Sequence, residues 1–395
     1  MNIIYVSCTC SKKRFAELFK IKNYIPGQQV QKYHRLITEG LAANNVCVQT
    51  VTALPVTKNN HNKRIVNVEN DEDNGVIYNY LPILNIPYIK NVLVFICSFF
   101  ATLKFLARDK QTVIICDVLN ISVTAGALLA AKFMKRKNVG IVTDVPAFLS
   151  KNANSFSVKI NNFIIDKFDL YVFLTEQMNR LINKRHVPYV VIEGQVDIRM
   201  QYIENDLKRK YKQKVCIYAG GIQEIYGIKN LTEAFIGASI QDSALHIYGN
   251  GDFENELIEI CKNHNNIKYF GVVPNDEVVE AELKATLLIN PRPSTEEFTK
   301  YSFPSKNMEY MVSATPVLTT RLPGMPEGYY DYIYIIENET QEGMKKALEQ
   351  VLSKSGEELH EKGNKAKDFV LKEKNNIIQV RKIIEMIKSG LYDED

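Results

Sequence analysis

Short β-branched runs alternate with helical stretches along almost the whole chain, and this alternation most constrains the fold. Successive parallel strands need a long crossover between them, which is usually a helix. The pattern therefore predicts an α/β architecture, with mainly parallel sheets and helices on both faces. The predicted strands of the first half are Ile3–Val6, Val46–Thr52, Val76–Tyr80, Val113–Cys116, Val139–Thr143, Leu170–Phe173 and Val190–Ile192.

The alternation is interrupted once, near Asp197. Residues 198–214 are charged and helix-prone, and a second series of strands then begins. A chain of 395 residues is too long for one ordinary core. We therefore predict two Rossmann-like, doubly wound domains, residues 1–197 and 198–374, with residues 375–395 forming a helix that packs back on the first. The strands of the second series are Val215–Ala219, Leu245–Tyr248, Ile267–Phe270, Thr286–Ile289, Val317–Thr319 and Ile333–Ile336.

The formal net charge of the chain is only +4 at pH 7. Proteins that bind nucleic acids usually carry a concentrated basic face, so this value argues against a nucleic-acid partner. Basic residues do cluster locally, at Lys12–Arg14 with Lys20 and Lys22, and again at Lys135–Lys137. Such a cluster is either a solvated face or a patch that contacts anionic headgroups of the inner leaflet. The sequence leaves both interpretations open.

The most apolar stretch runs from Val92 to Leu106 and is interrupted by Lys104. A helix that spans a bilayer needs about 20 apolar residues, so we expect a buried helix here. A helix that dips into a membrane is the alternative. The first apolar run, Ile3–Val6, is too short for a signal peptide, which predicts a cytoplasmic protein.

The chain has seven cysteines, an odd number, and no C-x-x-C pair. Cys47, Cys116 and Cys216 lie in runs that are predicted to be strands. These positions indicate small buried hydrophobic residues in a reducing compartment, not a disulfide framework.

The most specific local motif lies within residues 301–316, where Tyr-Ser-Phe-Pro-Ser-Lys-Asn-Met-Glu-Tyr is followed by Ala-Thr-Pro and a predicted strand. Pro304 and Ser305 mark a helix start, and Glu309 shares a helix face with Ser305. Free N–H groups at a helix start bind phosphate, here beside the Ser305 hydroxyl and Lys306. Glu309, one turn deeper, can accept hydrogen bonds from ribose hydroxyls. The motif predicts a nucleoside diphosphate site, with an ordinary helix start and a dipole-favoured Glu as the alternative.

Glycines follow the first two strands of the second series. Gly220 and Gly221 come directly after Ala219, and Gly249 and Gly251 follow the next strand. Glycine in such a loop allows a ligand to approach the backbone closely. Both loops are therefore candidate ligand contacts.

Three positions in the first half are also candidates. Gly27 and Gln28 precede the helix that follows the first strand, and Asp144 follows a buried strand. Doubly wound sheets bind ligands outside the carboxyl ends of their strands, so we expect these residues to face a cleft between the domains. An ordinary loop aspartate is the alternative interpretation of Asp144.

The segment Asp71-Glu72-Asp73 has a D-x-D spacing that can bind a divalent ion. It lies among asparagines in a predicted solvated loop, and the six histidines show no H-E-x-x-H spacing. No G-x-G-x-x-G follows the first strand, which argues against a nicotinamide oxidoreductase. We expect neither a metal nor an organic cofactor.

Taken in order, these motifs resemble the GT-B glycosyltransferases of family 4 over residues 215–385. The matching segments are the loop after Ala219, His246–Gly251, Tyr269–Gly271, Pro291–Ser294 and Tyr301–Pro316. The first half matches through Pro26–Gln28, Thr143–Pro146, Ile192–Gly194 and Val196–Asp197. The resemblance implies two facing Rossmann-like domains, with a nucleotide sugar on the second and the acceptor on the first.

The resemblance also implies roles for single residues. Family members carry two glutamates eight positions apart, of which Glu309 corresponds to the second and holds the ribose. The first position, which contacts the donor sugar in relatives, is Tyr301 in this chain. Glu296 and Glu297, just upstream, are the candidate substitutes.

Relatives neutralise the donor diphosphate with an Arg and a Lys near the first loop of the second domain. The corresponding positions here are Gly221 and Tyr226, which carry no charge. Lys306 is therefore expected to supply the positive charge, with Arg292 and Lys300 as alternatives.

The predicted catalytic residues are Lys306, Glu309 and Asp144. The predicted donor-binding residues are Gly27, Gln28, Gly220, Gly221, Tyr226, Gly249, Gly251, Arg292, Tyr301, Phe303, Pro304 and Ser305. The implied reaction is metal-independent, retaining transfer from a UDP- or GDP-linked sugar to a glycan or lipid-linked acceptor. The alternatives are a nucleotide-sugar epimerase of the same fold and a catalytically silent nucleotide-sugar binding subunit.

Overall fold

The computed structural model describes residues 1–19, 28–149 and 155–392. The chain divides into two compact units. Unit 1 comprises Met1–Glu193 together with Asn376–Asp395, and unit 2 comprises Gly194–Asn375.

The strands of the described residues follow the predicted alternation, and each predicted strand is present with small shifts at its ends. Unit 1 contains β1 Asn2–Ser7, β2 Cys47–Thr52, β3 Ile65–Val66, β4 Asp71–Asp73, β5 Val76–Tyr80, β6 Ile83–Leu84, β7 Val113–Asp117, β8 Asn138–Val142, β9 Leu170–Phe173 and β10 Tyr189–Val191. Unit 2 contains β11 Lys214–Ala219, β12 Ser243–Tyr248, β13 Ile267–Tyr269, β14 Leu287–Asn290, β15 Val317–Thr320 and β16 Tyr334–Ile336.

Helices connect these strands, as parallel pairing requires. In the described residues they are α1 Lys12–Phe19, α2 Gln28–Ala43, α3 Ile89–Leu106, α4 Ile121–Phe133, α5 Pro146–Leu149, α6 Phe156–Ile165, α7 Glu176–Ile182, α8 Ile228–Ala238, α9 Glu254–Asn263, α10 Asn275–Lys284, α11 Ser305–Val312, α12 Gln341–Leu352, α13 Gly356–Glu373 and α14 Asn376–Tyr392. The last helix packs on α2 within unit 1, where Asn44 Nδ2 donates to Ile377 O at 2.9 Å.

Each unit is built on a doubly wound sheet. In unit 1 the strand order is β10-β9-β8-β7-β1-β2-β5-β4, and only β4 runs antiparallel to its neighbour. In unit 2 the order is β13-β12-β11-β14-β15-β16, and all pairs are parallel. The order of the strands reverses between β1 and β7 in unit 1 and between β11 and β14 in unit 2. Such a reversal opens a crevice at the carboxyl ends of the two strands, where ligands bind.

Helix α3 corrects the expectation of a buried helix. Only 22% of the helix is buried, and it is long and apolar enough to cross a membrane by length and composition alone. It packs on α4 through small residues: Ser98 Oγ donates to Val123 O at 2.6 Å, and Gly126 lies against Phe95 O. The opposite face of the helix remains exposed.

The segment Asp71–Asp73 is also not the predicted solvated loop, because it forms β4, an edge strand paired with β5. The Asp71 carboxylate accepts hydrogen bonds from Ser11 Oγ at 2.9 Å and from Tyr80 OH at 2.8 Å. These two bonds give the Asp71 carboxylate structural partners within unit 1. Among the described residues, no group of three or more His, Cys, Asp and Glu side chains could hold a metal ion.

The cysteines are all free thiols. Cys116 and Cys216 are buried as predicted, but Cys47 is exposed. Cys47 is the first residue of β2, at the end of the sheet, so its strand position does not bury it.

Candidate functional site

The loops after β11 and β14 form the crevice of unit 2. Tyr218 near the end of β11, Arg292 two residues after β14 and the start of α11 all lie there. Two cationic side chains, Arg292 and Lys306, reach this crevice from different elements, since Lys306 lies in the first turn of α11. The sequence predicted that these segments contribute to one site.

Lys306 lies directly over the backbone of Gly220. A Cβ atom on Gly220 would be only 1.1 Å from Lys306 Nζ, so a glycine is needed for the lysine to occupy this position. Lys306 Nζ donates to Tyr218 OH at 3.4 Å and lies 4.6 Å from the centroid of that ring. The ammonium group is therefore held over the β11 loop.

Arg292 supplies a second cation beside the first. Its guanidinium lies 4.8 Å from the ring centroid of Tyr226 and 5.5 Å from that of Phe298. Burial, followed by the positive charge of Arg292, lowers the pKa of Lys306 to about 7, although Glu309 acts in the opposite direction. Two cations that repel each other in this way favour a polyanionic ligand.

Buried side chains fix the start of α11 against the sheet. Tyr310 OH accepts a hydrogen bond from Ala219 N at 2.8 Å, which ties α11 to the end of β11. Asn290 Nδ2 at the end of β14 donates to Asn307 Oδ1 at 2.8 Å. Asn307 and Tyr310 belong to the motif at residues 301–316, but the sequence assigns them no role, because only the fold brings them against β11 and β14.

The two glycine loops of unit 2 contact each other through their backbones. Gly249 has a φ of +127°, and a Cβ atom on it would lie 1.7 Å from Gly220 O. A Cβ atom on Gly251 would lie 2.2 Å from Ile222 O. These glycines are explained by packing of the β11 loop, and a contact of either with the donor stays a prediction.

Ser305 and Glu309 lie on α11 as the spacing predicted. Ser305 is exposed at the first helical position, where the N–H groups have no partner within the helix. Glu309 is half-buried one turn further on, and its charge acts on Lys306. The structure thus brings a helix N-terminus, an ammonium group and a carboxylate together.

Phe303 and Pro304 are buried next to this helix start. The ring of Phe303 lies 5.3 Å from that of Tyr329, so its side chain contributes to the core of unit 2. Tyr301 is half-buried, and its backbone N–H donates to Phe298 O at 3.0 Å. Donor contacts of Tyr301, Phe303 and Pro304 stay predictions.

Unit 1 has a pocket of about 530 Å³ at the corresponding crevice. It lies at the carboxyl ends of β1, β2 and β7 and at the first turns of α2, α3 and α4. The lining residues are Cys8, Val30, Gln31, Ala53, Leu54, Pro55, Thr57, Asn60, Lys90, Asn91, Val94, Leu119, Asn120, Ile121, Ser122 and Val123. Of these lining residues, only Lys90 is charged.

Lys90 and Gln31 order the pocket walls. Lys90 Nζ donates to Val56 O at 2.5 Å, and burial lowers the pKa of this lysine. Gln31 Nε2 donates to Cys8 O at 2.8 Å, which fixes the loop after β1. Neither residue could be predicted from the sequence, because neither belongs to a motif and only the fold brings them together.

A buried chain of polar side chains lies beneath this pocket. Tyr5 OH and His34 Nδ1 are 2.6 Å apart, and His34 Nε2 is 3.0 Å from Asp117 Oδ2. Burial disfavours the charged carboxylate, but His34 and the N–H groups of Leu119 and Asn120 hold the pKa of Asp117 below its ordinary value. This series of contacts from Tyr5 to Asp117 fixes the loop after β7, which places Asn120 in the pocket lining.

Of the other predicted residues of unit 1, Asp144 and Gln28 are not among the residues that line this pocket. Asp144 follows β8 and is half-buried, and it contributes after burial and Asp117 to the raised pKa of Tyr33. Gln28 is the first residue of α2. Gly27 lies outside the described residues.

Comparison with known proteins gives a consistent assignment. Residues 201–369 match the model of the family described as glycosyl transferases group 1. The sucrose-phosphate synthase from Thermosynechococcus elongatus is similar over 100% of both chains, with a TM-score of 0.70 and 13% identity. The chain is a glycosyltransferase with the GT-B fold. The family match covers the whole crevice of unit 2, including Lys306 and Arg292.

Two further solved structures share the fold of this glycosyltransferase. A glycosyltransferase from Rickettsia africae has a TM-score of 0.67 and 15% identity, and the match covers 100% of this chain and 99% of that one. HepE from Anabaena, solved with UDP and glucose, has a TM-score of 0.65 and 12% identity. The match covers 98% of this chain and 100% of that one. A search of curated protein sequences gives no match.

Proposed function

We propose that this glycosyltransferase transfers a sugar from a nucleoside-diphosphate donor to a glycan or lipid-linked acceptor, with retention of anomeric configuration and without a metal ion. The observation that carries the proposal is the position of Lys306 over Gly220 with Arg292 beside it. Two cations at the crevice of a doubly wound sheet suit a diphosphate.

The donor diphosphate binds at the first turn of α11. The N–H groups at Ser305 and the ammonium of Lys306 contact the phosphate oxygens, and Arg292 adds charge from the β14 loop. Glu309, one turn deeper, accepts hydrogen bonds from the ribose hydroxyls. UDP is the first candidate nucleotide because HepE from Anabaena was solved with it; GDP is the second.

The chemical step exchanges one bond at the anomeric carbon for another. The bond from this carbon to the diphosphate oxygen breaks, and a bond to the acceptor hydroxyl oxygen forms on the same face of the sugar. The hydroxyl proton passes to the departing diphosphate. Negative charge grows on that leaving group, and Lys306, Arg292 and the N-terminus of α11 stabilise it electrostatically.

The acceptor binds in the pocket of unit 1. Lys90 and Asn120 offer polar groups for sugar hydroxyls, while Ile121 provides apolar surface. The reaction takes place in the cytoplasm, and the free thiols suit a reducing compartment.

Donor binding is the direct test. Calorimetry with UDP-glucose and GDP-mannose should give a micromolar or tighter complex with one of the nucleotides. Glu309→Gln should weaken that complex by roughly 1.5–3 kcal/mol, because a charge-assisted hydrogen bond is lost. Equal affinity of the parent and the variant would remove Glu309 from the site.

Product analysis tests the reaction itself. Transfer to a saccharide acceptor should proceed in the presence of excess EDTA. NMR of the product should show that the transferred sugar keeps the anomeric configuration it had in the donor. Loss of transfer in EDTA with recovery on adding Mn²⁺ or Mg²⁺ would contradict the metal-free step. Conversion of the donor to an epimer without transfer would favour a nucleotide-sugar epimerase.

A further inference from the structure

Helix α3 exposes a continuous apolar line on the surface of unit 1. Ile89, Val92, Ile96 and Phe100 follow one another at helical spacing and are 41 to 62% exposed. Tyr88, just before the helix, is 86% exposed. We call these five residues the α3 stripe. Isolated exposed apolar residues are common, but an ordered line of them marks an interaction surface.

The α3 stripe is not the face through which α3 packs on unit 1, because that face is formed by other residues of the helix. Val94, Ser98, Thr102 and Leu106 are buried along the other side of the helix. Ser98 Oγ bonds to the backbone of α4, and Gly126 allows the two helices to approach closely. Helix α3 therefore packs on α4 through one face, whereas the stripe lies on an exposed face.

Basic residues surround the end of α3 where the stripe stops. Lys104 lies one turn beyond Phe100 on the same line and is exposed. The basic turn after α4 is tied to this end, since Arg136 Nη1 donates to Lys110 O at 2.5 Å. The segments 104–110 and 132–137 contain Lys104, Arg108, Lys110, Lys132, Lys135, Arg136 and Lys137, and their one acidic residue is Asp109. Lys132 pairs with Asp169 at 2.5 Å, so the other six residues carry the excess of positive charge.

We propose that the α3 stripe and this basic cluster form a docking surface for an anionic lipid bilayer. The stripe inserts its apolar side chains between the headgroups while α3 lies in the plane of the membrane. The cluster contacts the anionic headgroups, with the lysine stems reaching across the interface. An apolar line beside an excess of positive charge is complementary to a bilayer that has an apolar interior and anionic headgroups.

The position of the surface also relates it to the pocket of unit 1. Lys90 and Asn91, in the first turn of α3, line the pocket, and their neighbours Ile89 and Val92 belong to the stripe. A docked bilayer therefore lies at the edge of that pocket. The docking proposal stands on the stripe and the cluster alone and does not depend on the acceptor assignment.

Vesicle flotation of the full chain tests the proposal. The protein should float with vesicles of phosphatidylcholine and phosphatidylglycerol, remain unbound with phosphatidylcholine alone, and dissociate as NaCl is raised. Ile96→Glu should reduce the bound fraction about tenfold, because a charge enters the apolar line. Ile258→Glu is the matched control: Ile258 is 39% exposed on α9 of unit 2, and its replacement should leave flotation unchanged.

The contribution of the basic cluster is tested in the same flotation assay. Lys104→Glu should weaken binding to the anionic vesicles, whereas Lys212→Glu, an exposed lysine of unit 2, should not. Equal flotation of the parent and Ile96→Glu, or no flotation of the parent, would overturn the proposal. A mass in light scattering that falls from dimer to monomer in Ile96→Glu would show that a second copy covers the stripe.

Discussion

The crevices of the two units occupy the same place in the same topology, but their chemistry differs. In unit 2 two cations, Lys306 and Arg292, converge on the loop after the central strand. In unit 1 the same place is an open pocket of about 530 Å³ whose lining has one charged side chain, Lys90. The sheet therefore fixes where a ligand binds, and the loop residues decide which ligand it is.

The two cations of unit 2 show how residues outside the sheet determine which ligand binds at the crevice. The resemblance to family 4 predicts that the Arg and the Lys of relatives correspond to Gly221 and Tyr226 of this chain. The structure places Arg292 against the ring of Tyr226 and Lys306 over the neighbouring Gly220. The two cations of this crevice therefore lie on α11 and on the β14 loop.

The largest expected effect is that of Lys306→Ala. A departing diphosphate in a site of low effective dielectric depends strongly on a nearby cation, so transfer should slow on the order of 100-fold or more. Donor affinity should fall by less, because Arg292 and the helix N-terminus remain. Single-turnover rates and calorimetry with the same donor separate the two effects.

Arg292→Ala and Lys300→Ala give the comparison for Lys306. Arg292→Ala should also slow transfer, whereas Lys300→Ala should not, because Lys300 is exposed in the turn before α11. Transfer at the parental rate in Lys306→Ala, with loss in either of the others, would assign the leaving-group role to that residue.

Gly220→Ala should also impair transfer, although this substitution removes no charge. A Cβ atom there would occupy the position of Lys306 Nζ, so the lysine has to move away from the β11 loop. Misplacement of a catalytic group by about 1 Å can cost up to about 100-fold in rate. Gly328→Ala is the control, since no atom lies within 4 Å of its added Cβ atom. Full activity of both variants would show that the position of Lys306 is not critical.

Donor binding should depend on pH through Lys306. Its pKa is about 7 in the empty site, and an anionic diphosphate favours the ammonium form and raises that pKa on binding. Donor affinity should therefore be greatest below pH 7 and fall above it, by up to about tenfold per pH unit. Lys306→Arg stays charged and should remove this dependence. Calorimetry of a nucleotide sugar across this range checks it, and an unchanged slope in Lys306→Arg would assign the titration to another group.

The sequence predicted the sheets and the crevice of unit 2 because both depend on local patterns. Alternation of β-branched runs located the strands, and the helix start at Ser305 with Lys306 and Glu309 is a contiguous motif. The pocket of unit 1 could not be found in this way. Its walls come from five separate segments, and Lys90 reaches it from a helix that the apolar pattern predicted to be buried.

The exposed face of α3 was missed for a related reason. A run of apolar residues shows that a helix forms, but not which of its faces is covered. The small residues of the α3–α4 contact, Ser98 and Gly126, bury one side and leave the other exposed. The tie between Arg136 and Lys110 then joins two basic segments that are distant in sequence.

The smallest expected effect distinguishes the pocket of unit 1 from the crevice of unit 2. Lys90 Nζ donates to Val56 O and faces the pocket, so Lys90→Met removes one hydrogen-bond donor from the acceptor site. We expect the KM for the acceptor to rise about threefold to tenfold, as for the loss of one hydrogen bond, with the donor Kd unchanged. Lys90→Arg keeps a charged donor at this position and should restore much of the acceptor affinity. Lys58→Met, an exposed lysine of the same loop region outside the pocket lining, is the control. If Lys90→Met weakens donor binding and leaves the acceptor KM unchanged, the two crevices do not divide the substrates between them as proposed.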